Sequence, residues 1–80
     1  MRLDKFLKVS RIIKRRTISN DACDAGRVTV NGKVQKAGYQ VKEGDIIQIA
    51  FGEKTHSFKI LLTDDNVQRK TGAPMFEEVQ

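Results

Sequence analysis

In the first sixteen positions apolar residues recur at Leu3, Phe6, Leu7 and Ile13, close to the i, i+3, i+4 spacing that lays one stripe along a helix, and basic residues fall between them. The spacing predicts a helix over about residues 2–10, followed by a basic connection. Asp4 sits in its first turn, where the helix dipole favours an acid, and Ser10 loosens its end. A second helix is expected from Ile18 to Ala25. Thr17 is its N-cap, Ile18, Ala22 and Ala25 share one face, and Gly26 suits the left-handed residue that ends it.

From Arg27 the period changes from 3.6 to 2. Val28 and Val30 alternate with Arg27 and Thr29 up to Asn31-Gly32, a tight-turn pair, and Lys33 to Lys36 continue in polar company. Ala37 to Val41 is expected to be irregular. Glu43-Gly44-Asp45 marks a turn before Ile46 to Phe51, a β-branched run that predicts a largely buried strand. After Gly52-Glu53-Lys54, His56, Phe58, Ile60 and Leu62 alternate with Thr55, Ser57 and Lys59, a last strand with one apolar face. Beyond Leu62 the composition turns polar, so residues 63–80 are expected to form a C-terminal tail, with a short helical turn opened by Pro74 through Met75, Phe76 and Val79. The resulting expectation is one α+β domain over residues 1–62, two helices followed by a small antiparallel sheet.

Size and charge narrow what such a domain does. A chain of 80 residues buries only roughly 60% of the surface its unfolded form exposes, which supports one modest core and excludes a large multi-step enzyme. Unbroken apolar stretches reach only two or three residues, so no membrane span and no membrane partner are expected. The N-terminus lacks the apolar segment of a signal peptide, and the single cysteine, Cys23, can form no internal disulfide; both predict the cytoplasm. The net charge is +5, and its distribution says more than its sum. Residues 1–16 carry Arg2, Lys5, Lys8, Arg11, Lys14, Arg15 and Arg16 against the one acid Asp4, a net of +6, whereas the remaining 8 basic and 9 acidic residues leave −1. A dense basic block at one end of a nearly neutral domain is the footprint of a polyanion partner.

Catalytic chemistry finds little support. One Cys and one His without metal-ligand spacing predict no metal, and the absence of GxxxxGK[ST] and GxGxxG predicts no nucleotide cofactor. Cys23 and His56 lack any sign of an oxyanion hole or orienting third residue, and Asp64-Asp65 and Glu77-Glu78 read as solvated pairs. The chain is expected not to be an enzyme. Phe6, Tyr39, Phe51, Phe58 and Phe76 lack the interleaved pattern of a base-stacking sheet, which leaves a charged helical surface suited to structured RNA.

RLDKFL at the start, Arg11, the KRR block at Lys14 to Arg16, GRVTVNG and VKEGDIIQI resemble, in that order, the S4 RNA-binding domain over residues 1 to about 51. The resemblance implies an S4-like fold, the αL RNA-binding motif, with two helices and the adjoining strand turn as the RNA-contacting surface. Arg2, Asp4 and Arg16 match its most general positions. Lys5, Arg11, Lys14 and the Lys36-Ala37 pair add a similarity to the stand-alone S4 proteins related to heat shock protein fifteen. The chain lacks the long basic C-terminal extension of that protein, and its length is closer to the ribosome-associated quality-control members of the group.

This resemblance implies a non-catalytic factor that binds ribosomal RNA of the stalled large subunit and stabilises P-site peptidyl-tRNA during alanine tailing by a partner quality-control factor. It also implies a ribosome-associated location, with the free chain a monomer. Arg2, Lys5, Arg11, Lys14 and Arg16 would meet phosphates, Lys8 and Arg15 would reinforce them, and Lys33 and Lys36 would extend the surface from the hairpin. Asp4 would orient Arg2 or Arg16 through an ion pair, or cap the helix. The alternatives are a general ribosomal or regulatory RNA binder and an accessory of an RNA-modifying enzyme.

Overall fold

The computed structural model describes residues 1–79, apart from the side chains of Arg16 and Asp65. The first helix, α1 (Leu3–Val9), forms where expected, with Leu3, Phe6 and Leu7 completely buried and Lys5 and Lys8 exposed. Arg11 ends the turn beyond it with a φ of 66°, in the left-handed region that glycine usually occupies. Its N–H reaches the Lys8 carbonyl at 3.0 Å, and the Ile13 N–H returns to the Leu7 carbonyl at 3.0 Å, which folds Ile13 into the core.

The second helix, α2 (Arg16–Asp24), begins two residues before its expected start. Arg15, in an extended conformation, is the N-cap and makes no side-chain capping bond, while Thr17 lies inside the first turn. The buried face also differs from the expected one: Ser19 and Cys23 are fully buried, whereas Ile18 is 53% exposed. A small hydroxyl that finds an acceptor costs little to bury, and Ser19 Oγ donates to the Asp4 carbonyl at 3.1 Å across the α1–α2 contact. Ile18 at that position would hold the helices apart. Gly26, with a φ of 76°, ends the helix as expected.

Five strands follow: β1 (Val28–Val30), β2 (Lys33–Val34), β3 (Ile46–Phe51), β4 (Lys54–Ile60) and β5 (Phe76–Val79). They form one antiparallel sheet in the order β2-β1-β3-β4-β5. Val28, Val30, Ile47, Ile49, Phe58 and Ile60 face inward and share one core with Leu3, Phe6, Leu7 and Ile13. The β1–β2 hairpin turns on Asn31 and Gly32, with φ of 53° and 85°, the two left-handed residues that a tight hairpin requires. Asn31 also ties its tip to β3, accepting from the Ile46 N–H at 3.0 Å and donating to Asp45 Oδ1 at 3.1 Å.

Residues 37–41, irregular as expected, run across the start of α1. Tyr39 and Ala37 carbonyls accept from the Leu3 and Asp4 N–H groups at 2.7 and 3.2 Å, and the Val41 N–H donates to the Met1 carbonyl at 3.0 Å. Two of the amides that a helix start leaves without intrahelical acceptors are thereby satisfied by a segment far away in sequence.

The segment after Leu62 departs from the polar tail with a helical turn after Pro74. A helix, α3 (Asp65–Thr71), stands where the chain is most polar, capped by the Asp64 carboxylate, which accepts from the Asn66 and Val67 N–H groups at 3.0 and 3.2 Å. Gly72, with a φ of 71°, ends it. Phe76 to Val79 then adds to the sheet edge as β5, pairing Phe76 with Ile60 and Val79 with Ser57, so it is strand and not helix. Leu61 and Leu62 lie beyond the end of β4 and donate their N–H groups to the Met75 carbonyl at 2.8 and 3.2 Å.

Candidate nucleic-acid interface

Asp4 is the organising residue of the basic end. It is 1% exposed, a degree of burial that a carboxylate rarely tolerates without partners. Arg2 Nε donates to Oδ1 at 3.1 Å and Arg2 Nη2 to Oδ2 at 3.4 Å, while the Lys5 N–H donates to Oδ1 at 2.8 Å and Asn20 Nδ2 to Oδ2 at 3.4 Å. Burial pushes the Asp4 carboxyl up, but the bonds from Asn20, Arg2 and Lys5 and the Arg2 charge outweigh it and hold it below the ordinary carboxylate value. Asp4 therefore stays ionised at neutral pH. The Lys5 bond also completes the α1 start, whose other free amides are taken by Ala37 and Tyr39. Of the two roles expected for Asp4, an ion pair is made with Arg2, and the helix contribution comes from inside the first turn, because the N-cap is Arg2 itself. Arg16 is placed as the first residue of α2; its side chain lies outside the described residues.

The Arg2 side chain is 48% exposed, so one edge of its guanidinium is held by a buried anion while the rest faces solvent. A cation fixed in this way has lost much of its rotamer freedom before any ligand arrives. Arg2, Lys5 and Lys8 are three positions apart, which puts them in one row along α1. Arg11, Lys14 and Arg15 continue the charge through the connection to α2, and all three are exposed. Lys33 is exposed on β2. Lys36 is exposed too, but its Nζ donates to the Asp24 carbonyl at 3.1 Å, bracing the hairpin against the C-terminal end of α2.

Cys23 and His56 do not form a catalytic pair. Cys23 is fully buried on α2, and burial, then the charges of Asp4 and Asp24, push its thiol up to about 11, so no thiolate nucleophile is present. His56 lies on β4 with Nδ1 3.2 Å from Glu78 Oε1 and its ring edge-on to Phe51. Among the described residues no cluster of His, Cys, Asp or Glu could hold a metal ion, and no helix is long and apolar enough to cross a membrane.

The S4 domain family matches residues 1–47, which contain α1, α2, the hairpin and the clamp at 37–41. The chain belongs to the S4 domain family. A relative from Halalkalibacterium halodurans named "RQC P-site tRNA stabilizing factor" is 51% identical over 77 residues, covering 96% of this chain and 88% of its own. A Bacillus subtilis protein of the same name is 43% identical, covering 95% and 88%. Among solved structures, the trimeric Heat Shock Protein 15 of Vibrio cholerae superposes with a TM-score of 0.83 at 25% identity, covering 99% of this chain and 81% of that one. A solution structure of a hypothetical protein gives a TM-score of 0.79 at 34% identity, covering 100% and 98%.

The S4 match ends within β3, so the rest of the sheet and α3 lie outside it, although the structural neighbours cover nearly the whole chain. Within the matched S4 residues, Asn20 is the site member that sequence reasoning missed. Its signal was a polar residue beside Ser19 in a helix otherwise expected to bury Ile18, which reads as ordinary helix surface until α1 is packed against it.

Proposed function

We propose that this chain is a non-catalytic RNA-binding factor of bacterial ribosome-associated quality control. It binds the stalled large ribosomal subunit through ribosomal RNA and steadies peptidyl-tRNA in the P site while a partner factor extends the nascent chain with alanine. The free chain is a cytoplasmic monomer that becomes ribosome-associated on binding. Arg2, Lys5, Arg11, Lys14 and Arg16 take phosphates, Lys8, Arg15, Lys33 and Lys36 extend the positive field, and Asp4 positions Arg2.

The observation that carries this reading is the Arg2 guanidinium held on the buried Asp4 carboxylate at the head of an exposed basic row. The name borne by relatives 43 to 51% identical over most of their length supports the ribosomal and tRNA partners. Five neutralised phosphates give a log-affinity against log-salt slope of order −4. The test is co-sedimentation with large subunits that carry peptidyl-tRNA, against empty subunits. Arg2→Ala and Arg16→Ala should weaken association while the far-ultraviolet spectrum stays unchanged. Undiminished co-sedimentation of the double variant, or crosslinked RNA scattered over messenger sequences, would refute the proposal.

A further inference from the structure

Between the C-terminal end of α1 and the segment that runs from α3 into β5 lies an open cleft of about 690 Å³, within the roughly 300–1,000 Å³ of small-ligand clefts. Lys8 and Arg11 line it from the α1 side and Arg69 from α3, and among the described residues that line it none is acidic. Pro74, Met75 and Phe76 contribute an apolar wall, in which Met75 is buried and the partly buried Phe76 ring is braced edge-on by Phe58 at a centroid distance of 5.3 Å. We propose that this cleft receives one unpaired nucleotide of the bound RNA, its base against Pro74 and Phe76 and its flanking phosphates at Lys8, Arg11 and Arg69.

The inference rests on the RNA-binding reading above and adds a second element of recognition to it. Three cations around an apolar wall match a ligand with a flat apolar body and anionic flanks, which is the chemistry of a splayed-out nucleotide. A regular duplex does not fit, because its bases are stacked inside and only its phosphate ridge reaches the protein. Lys8 and Arg11 belong both to the basic row and to the cleft, so a strand gripped along α1 is delivered to the cleft mouth. Arg69, Pro74 and Phe76 lie outside the S4 match, so this element belongs to the C-terminal segment.

The test measures binding of the full chain to two RNA hairpins of equal length, one fully paired and one with a single bulged uridine. Wild type should prefer the bulged hairpin roughly tenfold, within what one stacked base contributes. Arg69→Gln should reduce that preference to less than about threefold with a much smaller change in affinity for the paired hairpin. Independently of any variant, 5-iodouridine at the bulge should crosslink wild-type protein in the tryptic peptide that follows Lys70. Equal affinity for the two hairpins, or crosslinks confined to α1 and α2, overturns the cleft proposal and leaves the RNA-binding reading standing. Failure to bind either hairpin or large subunits overturns both. Footprinting on large subunits that shows residues 68–76 covered by a protein rather than RNA also overturns it.

Discussion

Arg11 is the residue at which fold and proposed function pull in opposite directions. It holds a φ of 66°, a conformation that costs an L-residue about 1–2 kcal/mol, while its structural hydrogen bond to the Lys8 carbonyl comes from the backbone alone. Arg11→Gly keeps that bond, removes the steric cost, and loses about 1 kcal/mol through the greater freedom of glycine in the unfolded chain. The net expectation is a stability unchanged or raised by up to about 1 kcal/mol, equivalent to as much as roughly 4–8 °C in Tm for a domain of this size. RNA affinity should fall at the same time, and the salt slope should become shallower by about 0.7–0.9, the share of one phosphate contact. Urea unfolding and filter binding over a salt series measure the two effects on the same preparation. Arg11→Ala separates them, because it keeps the strained backbone, so it should reproduce the binding loss without the gain in stability. A glycine variant destabilised by more than about 1 kcal/mol would refute the strain argument, and an unchanged salt slope would refute the phosphate contact.

Other expectations follow from individual contacts. Asp4 has a folded carboxyl pKa below its unfolded value, so its contribution to stability is present above the unfolded value and is lost as pH falls through the folded one; acid titration of wild type should show this loss below about pH 4, and Asp4→Asn should lack it and be about 1–3 kcal/mol less stable at pH 7. Cys23, buried and with its thiol pushed up to about 11, should resist a thiol-labelling reagent at pH 8 in the native state and react fully in urea; rapid native labelling would contradict the burial. Asp64→Ala removes the carboxylate that caps α3 and should cost about 0.5–2 kcal/mol, with hydrogen exchange faster in α3 and β5 than in α1; uniform exchange would show that the cap does not hold the C-terminal segment.

The parts of the fold that were legible in advance are those where one local signal acts alone. The Leu3, Phe6 and Leu7 stripe marks α1, Asn31-Gly32 marks the hairpin, and the β-branched run at Ile46 marks β3, because in each the side chains that will face the core or make the turn follow a local pattern. α2 was harder to read because its buried face depends on α1: Ser19 is inside through a hydrogen bond to Asp4, a preference that hydropathy cannot register. β5 was hidden because Glu77 and Glu78 break the apolar alternation of an edge strand whose existence depends on pairing with β4. α3 reads in the sequence as part of the polar tail: Asp64 and Gly72 are ordinary start and stop residues, but the run of polar side chains between them carries no apolar period. In the candidate site, charge density located the basic row and Asp4 was recognisable as its odd member. That Lys36 braces the Asp24 carbonyl, and that Arg69 approaches Lys8 and Arg11 across a cleft, required the three-dimensional arrangement.

The clamp of residues 37–41 over the start of α1 sets an order of assembly. During synthesis the basic row emerges before residues 37–41, and the amides of Leu3 and Asp4 have only water to accept from them until Tyr39 and Ala37 follow. A helix of seven residues is marginal alone, so the geometry that holds Arg2 on Asp4 is expected to be little populated on the short nascent chain. The ordered form of the basic surface is thus expected to wait for a segment in the middle of the protein. Fragments that stop short of it are expected to carry the charges for RNA binding without the geometry.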